Sequence, residues 1–221
     1  MGAAPKGLTR TDIIKKTLRI AAAMLFAGGV FLALNAGYFA IEARYRLKGV
    51  EPSPEPTPEQ VTPDGVALEA GESELGPDEL RIASVGIDVP VVYEETIDEK
   101  RFQEDLMRGV VHFPQTALPG ETGNVYVFGH SSDFLWHHNP YAHAFTLLPH
   151  VNVGDIVEIT DHAGKPFRYA VTETFIVAPS DTRVLDQGDG TESLLTLQTS
   201  YPFGTALSRF IVRARLMLES P

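Results

Sequence analysis

Hydrophobic and polar positions divide this chain into three stretches with different patterns. Residues 20–41 are apolar and uncharged, with Asn35 the only strongly polar side chain. At 1.5 Å per residue a helix over this run extends about 33 Å, enough to cross a bilayer core. Residues 50–79 lose that character abruptly. Proline alternates with acidic and hydroxyl residues in Glu51-Pro52-Ser53-Pro54-Glu55-Pro56-Thr57-Pro58-Glu59, and no Lys or Arg occurs between Lys48 and Arg81. Such a stretch buries too little apolar area to offset its ordering entropy. Alternating prolines favour an extended polyproline conformation, so the segment reads as a semi-stiff stalk.

From Leu80 onward the pattern becomes one of short β-rich runs punctuated by turns. Strands are predicted over 80–87, 89–93, 110–113, 124–128, 155–160, 167–179, 193–200 and 209–218, with Asp161-His162-Ala163-Gly164 turning a hairpin. Thr96-Ile97-Asp98-Glu99 has the form of a capping box and opens a short helix ending before Gly109. Asn139-Pro140 reads as an N-cap followed by proline at the first helical position, starting a second short helix through Leu148. Closely spaced strands with only short helices predict a mainly β domain, a barrel or a sandwich.

Period-two alternation then sorts the side chains of the last two strands. Leu195 and Leu197 share a core face, whereas Thr196, Gln198 and Ser200 share the other, polar and open. Phe210, Val212, Ala214 and Leu216 form an apolar face. Arg209 lies opposite, with Ile211, Arg213 and Arg215. At the end of the strand closing on Phe128, Gly129 is expected to give the backbone freedom just before His130. A hydroxyl, an imidazole and a guanidinium thus fall at or near strand ends.

The chain has 221 residues, 43% hydrophobic and 21% charged, room for one sizeable domain plus attachments. A net charge of −11 argues against a nucleic-acid partner. The absence of cysteine excludes disulfides, zinc–thiolate sites and iron–sulfur clusters, and leaves the redox compartment open. Lys6, Arg10, Lys15, Lys16 and Arg19 precede the apolar run and favour a cytoplasmic N-terminus, although Arg44, Arg46 and Lys48 blur the asymmetry. A cleaved signal peptide is the rival reading. It is disfavoured by the length of the run and by the poor cleavage site Ala-Gly-Tyr-Phe-Ala.

The ordered motifs resemble those of the sortase family. Leu80-Arg81-Ile82-Ala83-Ser84-Val85-Gly86-Ile87 is similar to the first barrel strand. Gly109-Val110-Val111-His112-Phe113-Pro114, Pro119-Gly120 and Gly123-Asn124-Val125 resemble the approach to the catalytic histidine, and Gly129-His130-Ser131 that histidine's own motif. Val153-Gly154-Asp155 resembles the turn before a mid-domain strand. Thr196-Leu197-Gln198-Thr199-Ser200 matches Thr-Leu-x-Thr-Cys except at its last residue, and Arg209 falls where the catalytic arginine is expected. The resemblance covers about residues 80–218. It implies a closed eight-stranded β-barrel with short helices, preceded by one transmembrane helix and the Pro/Glu-rich stalk. The layout it implies is a cytoplasmic N-terminus (1–19), an anchor (20–41), a juxtamembrane segment and acidic linker (42–79) and a catalytic domain (80–221) outside a bacterial plasma membrane.

The activity so implied is a cysteine transpeptidase without cofactor. Its donor is the C-terminal sorting signal of a surface or pilin protein, typically Leu-Pro-x-Thr-Gly, and its acceptor an amine on a cell-wall precursor or a pilin. Carried over by position, Ser200 is the nucleophile, His130 the acid/base, Arg209 the oxyanion stabiliser, and Thr199 shapes the substrate groove. The departure is Ser200. A thiol with a pKa near 8.5 is stored as a thiolate beside an imidazolium, whereas a hydroxyl needs a base within hydrogen-bond reach at the moment of attack. Ser200 is therefore an introduced substitution, a natural serine nucleophile, or the mark of a protein that binds sorting signals without turnover. Asp133 is a weak candidate to orient His130. His137, His138 and His143 make a poor metal set because Asn139-Pro140 interrupts them. Glu94, Glu95, Asp98 and Glu99, offered as calcium ligands, are explained as well by a helix start, and Trp136, Tyr141 and Phe145 as packing residues.

Overall fold

The computed structural model describes residues 10–34, 36–47, 75–132 and 138–217. The stalk sequence 51–59 and residues 133–137, which include Asp133, Trp136 and His137, lie outside them. The chain divides into two compact units at residues 40 and 41. In the first, α1 (Arg10–Leu34) exposes Met24, Leu25, Phe26 and Leu32. The next helix, α2, runs over Ala36–Leu47. The apolar run 20–41 thus falls across two helices, and among the described residues no helix is long and apolar enough to cross a membrane.

The second unit holds β1 (Glu79–Ile82), β2 (Ile87–Tyr93), α3 (Glu99–Asp105), β3 (Val110–His112), β4 (Gly123–Phe128), β5 (Ile156–Thr160), β6 (Pro166–Val177), β7 (Ser193–Tyr201) and β8 (Ser208–Leu216). The strands close into a barrel in the order β1-β2-β3-β4-β7-β8-β6-β5. Inward positions are apolar as alternation requires: Leu80, Ile82, Val125, Val127, Ile159, Leu195, Leu197 and Val212 are fully buried in one cluster. Two neighbouring pairs, β2–β3 and β4–β7, are parallel. Parallel neighbours need long crossovers. The β2–β3 crossover carries α3, and the connection from β4 to β7 includes the antiparallel pair β5–β6 of the same barrel.

Three local expectations are corrected. The cap of α3 is Asp98, whose Oδ1 accepts the Arg101 N–H at 2.9 Å. The Thr96 N–H instead donates to Glu94 Oε1 at 2.7 Å. The helix expected from Asn139 to Leu148 is a run of tight turns ending in a 3-10 turn over Leu148–His150. Asn139 Oδ1 accepts the Tyr141 N–H at 2.8 Å, and the Phe145 N–H is drawn away to His130 O at 2.8 Å, so no α-helical ladder forms. Thr196 and Ile211, expected on an open face, are fully buried. The loop between β6 and β7, with its 3-10 turn Thr182–Leu185, covers them and packs Val184 against Tyr126 and Ile211.

His112 in β3 is buried, and its Nε2–H donates to Ala117 O at 2.9 Å. Burial pushes its pKa down, opposed by that carbonyl and by the Glu121 carboxylate. The folded state therefore prefers the neutral ring. Below about pH 6.5 the unfolded chain binds more protons than the folded one, so stability falls as pH drops through that value. In His112→Gln this contribution disappears. The gap in urea midpoint between wild type and variant is expected to narrow between pH 7.5 and 5.5.

Candidate active site

The outer face of β4, β7 and β8 forms the floor of a cleft of about 370 Å³. Tyr126 and Phe128 come from β4, Gln198 and Ser200 from β7, and Arg209 from β8. α3 supplies one wall through Glu99, Phe102 and Gln103, and the β6–β7 loop supplies the other through Pro179, Asp181, Val184 and Leu185. His130 enters just past the end of β4 and lines the same cleft. Residues separated by most of the domain in sequence are thus brought to one place.

The register explains the grouping. Ser200 and Arg209 are direct cross-strand partners on β7 and β8, so their side chains emerge side by side on one face. Parallel pairing sets Phe128 beside Gln198, and the Gly129 N–H continues the ladder to Gln198 O at 3.1 Å. This carries His130 to the level of Ser200. Thr199 lies on the opposite, inward face and is buried, with its hydroxyl donating to Gly129 O at 2.9 Å. It lines the cleft while tying β7 to the turn before His130.

Gly129 is required for space rather than for backbone freedom. Its φ is not in the left-handed region. A Cβ there would sit 2.7 Å from Val110 Cγ1 and 2.9 Å from the Phe145 ring, both core residues.

Polar groups around the three residues are partly committed. Arg209 Nη1 donates to Ala206 O at 3.2 Å and Ser208 O at 3.1 Å, which holds the guanidinium over the end of the β7–β8 hairpin. Tyr126 is buried beneath the cleft, its phenol pKa pushed up by burial and pulled back by Arg209. Among the described residues Ser200 Oγ makes no hydrogen bond with His130. Of Glu94, Glu95, Asp98 and Glu99, three carboxylates are occupied locally. Glu94 accepts the Glu95 and Thr96 N–H groups, Asp98 caps the helix, and Glu99 accepts Gln103 Nε2 at 2.8 Å. His143 Nδ1 lies 3.2 Å from Thr146 Oγ1, and its ring stacks on Phe203.

In the sequence Asn124 stands out only as part of the Gly123-Asn124-Val125 motif and Gln187 does not stand out, yet both hold a wall of the cleft. Asn124 is buried, and its Nδ2 donates to Val184 O at 2.9 Å and Asp186 O at 3.2 Å, while its Oδ1 accepts Thr196 Oγ1 at 2.7 Å. Gln187 accepts the Ala117 and Asn124 N–H groups and donates to Asn124 O and Leu185 O. Together they clamp the loop to the barrel and form the wall. A buried Asn in an otherwise apolar strand was the available signal, because a buried amide demands partners. Asn124→Ala leaves two carbonyls and a hydroxyl unsatisfied. It is expected to cost about 2–3 kcal/mol in urea unfolding and to speed hydrogen exchange across residues 180–187. Unchanged exchange would show that other contacts hold the loop.

A family model described as a sortase domain matches residues 80–217. Over 136 residues the chain is 27% identical to sortase D of Bacillus subtilis (strain 168), a match covering 60% of each chain. It therefore spans about 60% of the length of that curated relative. Among solved structures, a Clostridium perfringens sortase D5 transpeptidase is 29% identical with a TM-score of 0.52, over 63% of this chain and 78% of that one. Streptococcus agalactiae sortase C1, in complex with MTSET, is 29% identical with a TM-score of 0.53, over 63% and 66%. Sortase C-1 from Actinomyces oris shares the fold at 23% identity, with a TM-score of 0.54 over 66% of this chain and 76% of that one.

Proposed function

The chain belongs to the sortase family, and from that premise we propose that it is a sortase-type transpeptidase whose chemistry is attenuated by serine at position 200. Its donor is a C-terminal sorting signal of the Leu-Pro-x-Thr-Gly kind and its acceptor an amine on a cell-wall precursor or pilin. The observation that carries this reading is the convergence of His130, Ser200 and Arg209 on one cleft, with Ser200 and Arg209 as cross-strand partners.

In the proposed reaction Ser200 Oγ attacks the Thr carbonyl carbon as its proton passes to His130. Arg209 stabilises the oxyanion. The C–N bond to Gly breaks, and His130 returns the proton to the departing amine, leaving an ester on Ser200. The acceptor amine attacks that ester, gives its proton to His130, and Ser200 Oγ is released and reprotonated. A thiolate would wait ready for the first step. The hydroxyl must be deprotonated within it, and no hydrogen bond to His130 prepares that transfer. The same observation favours a second reading, a protein that binds sorting signals without turning them over.

The site of action we propose is the outer face of a bacterial plasma membrane, with residues 20–41 as a single-pass anchor and the N-terminus cytoplasmic. The support is the uncharged apolar run, the basic residues before it and the exposed apolar side chains of α1. Mass-spectrometric detection of a sorting-signal peptide joined to an amine tests the reaction. Slow product with the wild-type chain and none with Ser200→Ala is expected. Product from Ser200→Ala at the wild-type rate would overturn the role of Ser200, and peptide binding without any product would select the second reading.

A further inference from the structure

Gln198 occupies the variable position of the Thr-Leu-x-Thr motif, on the outer face of β7 two residues before Ser200. Buried Tyr126 donates its phenol proton to Gln198 Oε1 at 2.5 Å. This is the hydroxyl's one hydrogen bond among the described residues, so the buried proton has no other acceptor there. The side-chain amide is thereby fixed in one orientation. Its oxygen points down to Tyr126, and its Nε2 is left toward the cleft with no partner among the described residues. A fixed amide with two uncommitted N–H donors on a cleft floor is a recognition group for a carbonyl.

Its position says which carbonyl. Gln198 lies two positions before Ser200 along the strand, about 7 Å. An extended peptide advances at the same rate and repeats its carbonyl direction every second residue. β7 ends at Tyr201 just past Ser200. Beside Gln198, its strand neighbours Phe128 and Ile211 carry the wall: Phe102 packs on Phe128, and Val184 and Leu185 pack with Ile211 and Tyr126. The acyl fragment must stay bound between the two half-reactions, and the enclosed side is the one that retains it.

We propose that Gln198 Nε2 donates to the backbone carbonyl two residues before the scissile one, so that Gln198, oriented by Tyr126, is a substrate-positioning residue of the acyl half of the cleft. This rests on the sorting-signal reading above. The test is the Kd of the full-length chain in detergent for a Leu-Pro-x-Thr-Gly peptide, and for its isostere in which an alkene replaces the amide bearing that carbonyl. Gln198→Met and Gln198→Glu are each expected to weaken the native peptide about tenfold. The isostere should weaken binding to wild type by a similar factor and cost nothing further in the variants. Thermal unfolding of both variants checks that the cleft remains folded. Unchanged affinity in both variants, or an isostere penalty that persists undiminished in them, would overturn the assignment while leaving the sorting-signal reading intact. Failure of wild type to bind the native peptide would overturn both.

Discussion

Ser200→Cys is expected to raise sorting-signal cleavage and transfer by about 10²–10⁴-fold, the range that general-base assistance commonly contributes. The reason lies in where the proton must go. Serine attack requires a base aligned on Oγ, and Ser200 Oγ has no hydrogen bond to His130. A cysteine at the same position needs no such bond at the moment of attack, because its thiolate forms beforehand and is held by a nearby positive charge. Ser200 and Arg209 are direct cross-strand partners, so one charge is supplied by the fold itself. The gain should appear in kcat with little change in KM, since the cleft walls are untouched. Equal turnover by the serine and cysteine forms would mean that His130 reaches Oγ in the complex and that serine chemistry is native to this site.

Arg209→Ala, in the Ser200→Cys background where turnover is readily measured, is expected to lower kcat by about 10²–10³-fold, the loss typical of removing one oxyanion donor. Arg209 is held over the hairpin end by the Ala206 and Ser208 carbonyls. Its remaining N–H groups have no partner among the described residues and face the cleft that Ser200 lines. The β8 backbone ladder does not depend on the side chain, so unfolding midpoints should move little. Arg209→Lys should recover only part of the loss, because a single ammonium cannot satisfy the two hairpin carbonyls and also reach the oxyanion. A kcat within about threefold of the parent in Arg209→Ala would assign the oxyanion to other donors.

Much of the barrel was legible because its signals are local. Alternation in β7 and β8 placed Leu195, Leu197, Val212 and Ala214 inside, and turn residues separated the strands. The chemistry at strand ends was legible too, since His130 follows β4, Ser200 lies near the end of β7 and Arg209 near the start of β8. Other features were not local. Thr196 and Ile211 sit on the outer face as alternation requires, but only the fold shows a loop lying over that face. The capping-box pattern pointed to Thr96, yet the Arg101 N–H, whose partner is invisible in sequence, goes to Asp98 Oδ1. Asn139-Pro140 carries a helix-start signal that loses to the tertiary bond between the Phe145 N–H and His130 O. Gly129 was expected to give the backbone freedom, yet the packing of Val110 and Phe145 is what excludes a side chain there. The clamp made by Asn124 and Gln187 joins residues more than sixty positions apart, and no window of sequence connects them.

The central claim is that acyl transfer runs through residue 200. Intact-mass spectrometry of the full-length Ser200→Cys chain, incubated with a sorting-signal peptide and no amine acceptor, tests it most directly. The expected result is a mass increase equal to the peptide fragment ending at Thr, mapped to residue 200, reversed by adding an amine and absent from Ser200→Ala. Cleaved peptide without an adduct at residue 200, or an adduct on another residue, would contradict it.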